Sequence, residues 1–187
     1  MAEDMQRQMQ QGKEIMDKAL EHLHKELNNI RTGKASPAML SSIKVEYYGN
    51  PTPLNQVSSV STSDAKTLTI QPWEKSLLPV IEQAIFAANI GLTPMNDGDL
   101  IRINVPALTE ERRRDLVKQA KHLGEEAKVS LRTARHKLLD VLKKEVKNGF
   151  PEDAGKRLEA EIDKLMHNFS DQVDKSIGAK EKDIMTV

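Results

Sequence analysis

The apolar residues of this chain change their spacing twice, and that change restricts the fold more than any other feature. Met5, Met9, Met16, Ala19, Leu23, Leu27 and Ile30 mostly fall three, four or seven apart, the spacing of a helix with one buried face. The same period returns after Thr109 in Leu116, Ala120, Leu123, Ala127, Leu131, Ala134, Leu138 and Val141. It stops at Asn148-Gly149-Phe150-Pro151, a helix-ending Gly with a Pro behind it. A third stripe follows in Leu158, Ile162, Leu165, Phe169, Val173, Ile177 and Ile184. Between the first two stripes the period is that of strands. Ile43-Lys44-Val45-Glu46-Tyr47 alternates, Gly49-Asn50-Pro51 with Pro53 is a turn cluster, and Val57–Ser61, Thr67–Ile70 and Leu100–Val105 are short β-branched runs. Leu77–Ala88, bounded by Pro72 and Gly91, predicts one helix within this stretch.

Three helices with single apolar stripes bury those stripes most simply against one another, in a slender bundle of helices roughly 45 to 60 Å long at about 1.5 Å per residue. Residues 1–30 plus 106–187 are therefore expected to form the bundle, and 31–105 a β-rich insert with one helix. Thr109 is the expected N-cap of the second long helix, with Glu110 and Glu111 at its positive end. The chain crosses between the parts twice, at Arg31-Thr32-Gly33 and at Val105-Pro106. Such a double connection serves either as a hinge or as the root of a rigid appendage.

Aromatic residues make up only 3% of the chain, which favours long helices packed by aliphatic side chains. With no cysteine there is no disulfide, thiolate chemistry or Cys-ligated metal, and no run approaches the roughly 20 apolar residues of a membrane span. The first ten residues carry Glu3 and Asp4 and no apolar core of a signal peptide. A cytoplasmic protein with no membrane association is expected. Basic and acidic residues balance at 28 each, but not locally. Residues 109–147 hold 12 basic and 7 acidic groups, and no other segment has a positive surplus.

Within that segment Arg114, Lys121, Lys128 and Arg135 stand seven apart, with Lys118 and Arg132 on the adjoining line. On a helical wheel both lines sit away from the apolar stripe and track one face for about 31 Å, interrupted by Glu125. A row of cations on a rigid rod suits the phosphates of a folded RNA. The competing reading is a solvated surface neutralised by nearby carboxylates. Arg112 and Arg113 extend the positive region beside Glu110 and Glu111. Tyr47 alternates in phase with Val45 and Ile43 and is expected in a core, leaving Tyr48 on the other face to stack on bases. Trp73 is expected to cover the insert's core. His22, His24, His122, His136 and His167 show no metal-site spacing, there is no Gly-rich phosphate loop, and no Ser is set up as a nucleophile. Neither an enzyme nor a cofactor is expected. A helical scaffold that binds proteins without RNA is the alternative from another class.

Three strings then carry a resemblance: Ile30-Arg31-Thr32-Gly33-Lys34-Ala35-Ser36-Pro37, Val45-Glu46-Tyr47-Tyr48-Gly49 with Pro51-Thr52-Pro53-Leu54, and Leu108-Thr109-Glu110-Glu111-Arg112-Arg113. In this order and spacing they resemble bacterial ribosome recycling factor over essentially the whole chain. The resemblance implies an α+β fold, an elongated three-helix bundle with a small β/α/β-type domain inserted between helices 1 and 2, joined by a two-stranded hinge and shaped like a tRNA. It implies a monomer that acts with elongation factor G, GTP being hydrolysed on that partner, to split the post-termination 70S ribosome. The bundle would lie on large-subunit rRNA of the 50S particle, with Arg132 and Arg135 matching the family's two spaced arginines and Arg31 with Gly33 its hinge-side motif. Thr133 and His136 stand where the family commonly has Asn and Arg.

Overall fold

Helix α1, Ala2–Asn28, turns Met5, Met16, Leu23 and Leu27 inward along one stripe. In this computed structural model, which describes residues 2–186, α1 is joined in one compact unit by the two other long helices. These are α4, Glu110–Lys147, and α5, Glu152–Met185. Each of the three packs on both others. Helix α4 buries Leu116, Ala120, Gly124, Ala127, Leu131, Ala134, Leu138 and Leu142, close to the stripe expected from its spacing; α5 buries Ile162, Phe169, Val173 and Ile184. The α4–α5 corner closes as foreseen. Gly149 takes φ 103°, its N–H donates to Val146 C=O at 3.2 Å, and Phe150 N–H donates to Glu145 C=O at 2.9 Å, a Schellman end with the Phe150 ring tucked in.

Two glycines set how closely these helices approach. A Cβ on Gly12 of α1 would meet Leu138 Cδ1 at 2.5 Å and Cγ at 2.8 Å, and one on Gly124 of α4 would meet Ile177 Cγ1 at 2.8 Å. Both glycines forgo helix propensity worth about 1 kcal/mol in exchange for leucine and isoleucine packed against bare backbone.

The second unit, Gly33–Thr109, begins with a 3₁₀ turn, Pro37–Leu40, capped by the Ser36 hydroxyl. Strands β1 (Lys44–Tyr47) and β2 (Asn50–Pro53) form a hairpin, followed by the single turn α2, Leu54–Val57. Strands β3 (Ser58–Asp64) and β4 (Thr67–Pro72) lead into α3, Leu78–Ala88, and the chain returns through β5 (Pro94–Asn96) and β6 (Ile101–Asn104). The four-stranded sheet has the order β3-β4-β6-β5 and is antiparallel throughout. Leu68, Ile70, Ile81, Ile85, Ile101 and Ile103 are fully buried between sheet and helix.

Several local readings need correction. The Pro51–Pro53 segment, expected as turn, is strand β2. Its prolines fit because Tyr47 pairs with Asn50 and Val45 with Thr52, so the alternation of an antiparallel ladder leaves positions 51 and 53 with their nitrogens pointing away from β1. Strand β5 was not anticipated at all. Trp73, expected over the core, is 68% exposed. The divisions between units fall at Thr32/Gly33 and Thr109/Glu110, later than the 30/31 and 105/106 read from the sequence. On the return crossing the cause is Val105, which is buried with the insert's core and donates its N–H to Lys66 C=O at 2.7 Å.

Gly12→Ala is expected to lower the stability of the helical unit by about 1 kcal/mol, overpacking of about 1–3 kcal/mol against Leu138 outweighing the propensity gained; urea unfolding followed by circular dichroism checks it. A second expectation concerns acid. Asp64 accepts from Lys66 N–H at 2.8 Å and the Thr67 hydroxyl at 3.1 Å, and Asp97 from Leu100 N–H at 3.0 Å and Asp99 N–H at 3.1 Å. These donors, Lys66 and Leu100 foremost, hold both carboxyls below the ordinary carboxylate range. A depressed folded value stabilises above the unfolded pKa of about 4 and is lost as pH falls through the folded one. The double variant Asp64→Asn, Asp97→Asn should therefore melt with a flatter pH dependence below about pH 4 than the parent.

Candidate nucleic-acid interface

The six cations singled out from the sequence all lie on α4, but they do not share one environment. Seven residues turn a helix through about 700°, about 20° short of two full turns, so a line of residues seven apart creeps round the helix. Along Arg114, Lys121, Lys128 and Arg135 this creep runs toward α5. Side-chain exposure is 68% at Arg114 and 60% at Lys121 but 25% at Lys128 and 41% at Arg135.

Carboxylates follow the line. Arg114 pairs with Glu110 one turn earlier, Nη2 to Oε1 at 2.7 Å. Lys121 Nζ lies 3.8 Å from Glu181 Oε1 and Lys128 Nζ 2.6 Å from Asp174 Oδ1. Arg135 donates from Nε and Nη2 to Asp163 Oδ1 at 2.9 and 2.7 Å. As numbering rises along α4 it falls along α5, so these three contacts form a ladder beside the buried seam of two antiparallel helices. That Lys121, Lys128 and Arg135 stand clear of the packing face is thus corrected: they flank it. The ladder was readable in the seven-residue separation of Asp174 and Glu181, which repeats that of Lys121 and Lys128 in the opposite direction.

Lys118 and Arg132 are different. Both are exposed, and neither has an ion-pair partner among the described residues. They lie on the face of α4 turned away from its neighbours, with Val129 53% exposed between them. Arg113, grouped with the basic region from its position, is half-buried, and its Nε finds no partner among the described residues. Among the histidines, His122, His136 and His167 each face a carboxylate four residues on, Glu126, Asp140 and Asp171, at 3.0, 3.4 and 3.5 Å. No group of three metal-ligating side chains occurs among the described residues. No helix among them is long and apolar enough to cross a membrane.

The ribosome recycling factor family model matches residues 23–185, a span that includes the whole of the insert and of α4. The chain belongs to the ribosome recycling factor family. It is 52% identical to the ribosome-recycling factor of Porphyromonas gingivalis over 92% of this chain and 93% of that one. With the ribosome-recycling factor of Flavobacterium johnsoniae it shares 49% identity over the full length of both. Among solved structures it is similar to the solution structure of a ribosome recycling factor, with a TM-score of 0.80 and 35% identity over 98% of each chain. It is also similar, with a TM-score of 0.64 and 42% identity over 97% of this chain and 99% of the other, to the T. thermophilus ribosome recycling factor placed with E. coli elongation factor G on the E. coli post-termination complex. Ribosome recycling factors are non-enzymatic translation factors.

The ladder has a measurable weight. Asp163→Asn and Asp174→Asn should each cost under about 1 kcal/mol of stability, because both carboxylates are more than half exposed, and the loss should shrink in 1 M salt; denaturant titrations at two ionic strengths check this.

Proposed function

We propose that this chain promotes recycling of the ribosome after termination, holding large-subunit rRNA with the open face of α4 while elongation factor G acts on the complex. Family membership supports the activity, and the observation that carries the RNA contact is the pair of unpartnered cations, Lys118 and Arg132. An exposed cation without a carboxylate gives up no ion pair when it meets a phosphate. Lys121, Lys128 and Arg135 must first leave Glu181, Asp174 and Asp163, so they contribute less than their charge suggests; Arg114 has only to leave Glu110 on its own helix. GTP is hydrolysed on the partner and no cofactor is required here. The work is done in the cytoplasm, where post-termination ribosomes stand, by the monomer.

The same proposal gives the two units separate tasks, the helical unit to hold and the inserted unit to be moved. Bending is assigned to Arg31, Thr32 and Gly33 on the outward crossing and to the stretch from Pro106 to Thr109 on the return. Gly33 supports this, with φ 78° and Leu108 Cγ 3.1 Å from where a Cβ would stand: the outward strand passes a tight left-handed position as it enters the second unit. Val105, buried and hydrogen-bonded, is assigned to the body of that unit rather than to the bend.

Polysome breakdown with elongation factor G and GTP tests the activity, and no stimulation by the chain would remove it. The double variant Lys118→Ala, Arg132→Ala should weaken binding to 50S particles and flatten the slope of log affinity against log salt by roughly 1.5, about 0.7–0.9 per phosphate released. Lys128→Ala should change that slope less. An unchanged slope in the double variant would take the outer face of α4 out of the contact.

A further inference from the structure

The β1–β2 hairpin turns on two residues, Tyr48 and Gly49, at φ 48° and 80°. Two consecutive left-handed residues make the type I′ turn, for which Asn-Gly is the favoured pair because a bulky side chain is strained at the first position. Tyr48 occupies that position and is 79% exposed, so burial does not explain a tyrosine there. What it contacts is specific. Its ring meets that of Tyr47 edge-on, centroids 4.5 Å apart at 72°, and both hydroxyls donate to the Glu74 carboxylate, Tyr47 at 3.2 Å and Tyr48 at 3.4 to 3.5 Å.

Glu74 is half-buried and has no cationic partner among the described residues. The neighbouring cation is turned elsewhere: Lys75 Nζ lies 2.7 Å from Asp99. Beside Glu74 in the chain stands the exposed Trp73, which also borders a groove of about 760 Å³ with Pro37, Pro53 and Leu54. The second unit therefore presents, beside the exposed ring of Tyr48, a carboxylate with no cationic partner among the described residues.

We propose that Tyr48 and Glu74 form a docking site for an arginine-bearing segment of a protein partner. A guanidinium lies flat on an aromatic face, attracted by its quadrupole, while its edge donates to a carboxylate. Two phenol donors leave part of the roughly four acceptor sites of Glu74 open for that edge. The same charge decides against RNA, since a base stacked on Tyr48 would bring its phosphates toward an anion with no counter-charge. The site lies on the unit opposite in role to α4 and uses the opposite sign of charge.

Isothermal titration calorimetry reads binding at this site directly and without ribosomes. The intact chain is titrated with a tetra-arginine peptide, a tetra-citrulline peptide of the same shape without charge, and a single-stranded oligouridylate. A saturable change is expected with arginine alone. Glu74→Gln, which keeps an acceptor but not the charge, and Tyr48→Asn, which suits the turn better, should each weaken it by about tenfold. Tyr48→Asn should leave the melting temperature equal or higher. The proposal is overturned by an equal response to citrulline, by a response to the oligouridylate instead, by no saturable response, or by variants that bind as the parent does. A drop in melting temperature on Tyr48→Asn would assign the tyrosine to the fold and overturn it as well. Failure in this assay leaves the recycling activity standing, and failure in polysome breakdown leaves this site standing.

Discussion

Helix α4 has to bury one face against α1 and α5 at once, and that double obligation governs most of what the rest of the molecule shows. Its inward stripe mixes small residues, Ala120, Gly124, Ala127 and Ala134, with Leu116, Leu131, Leu138 and Leu142. The small ones admit side chains from a neighbour, as Gly124 admits Ile177, while Leu138 is itself admitted by Gly12 of α1. Close approach brings the flanks of α4 within reach of carboxylates on α5, and the cations there are neutralised. Only the remaining sector of the helix is left open to a third body, and there Lys118 and Arg132 have no ion-pair partner among the described residues. The proposed RNA face is thus what packing leaves over on a helix that has already used two of its sides.

The neutral total charge of the chain hides an uneven arrangement, with the positive surplus confined to residues 109–147. Lysine and arginine on α4 divide into those answered within the bundle and those that are not. In the inserted unit Glu74 has no cationic partner among the described residues, while Lys75 next to it is committed to Asp99. Ordinary surface pairs contribute little to stability, and what they do here is decide which neighbouring charges remain available.

Helical periodicity carried most of the bundle into view before any coordinates, because a stripe three or four residues apart has one structural solution. The corner at Gly149 and Phe150 was equally plain, since a left-handed glycine followed by proline ends a helix by local chemistry. Where the sequence misled, the deciding fact was non-local. Pro51 and Pro53 look like turn residues until the register with β1 places their nitrogens outward. The seven-residue line of cations looks like one face until the drift of an α-helix and the position of α5 are both known. Trp73 resembles a core residue in composition, and nothing near it in sequence reveals that Leu77, Leu78 and Ile81 fill the core without it. Tyr48 was read as exposed from strand alternation, but its link to Glu74 spans 26 residues and could not be seen.

Both strands that join the units are fastened to one small piece of the insert. Ala35 N–H donates to Ala65 C=O at 2.8 Å and Val105 N–H to Lys66 C=O at 2.7 Å, so the incoming and outgoing chains grip successive carbonyls of the turn between β3 and β4. The insert is suspended from a single bracket. A change that loosened the Ala65-Lys66 turn would therefore release both crossings of the chain at once.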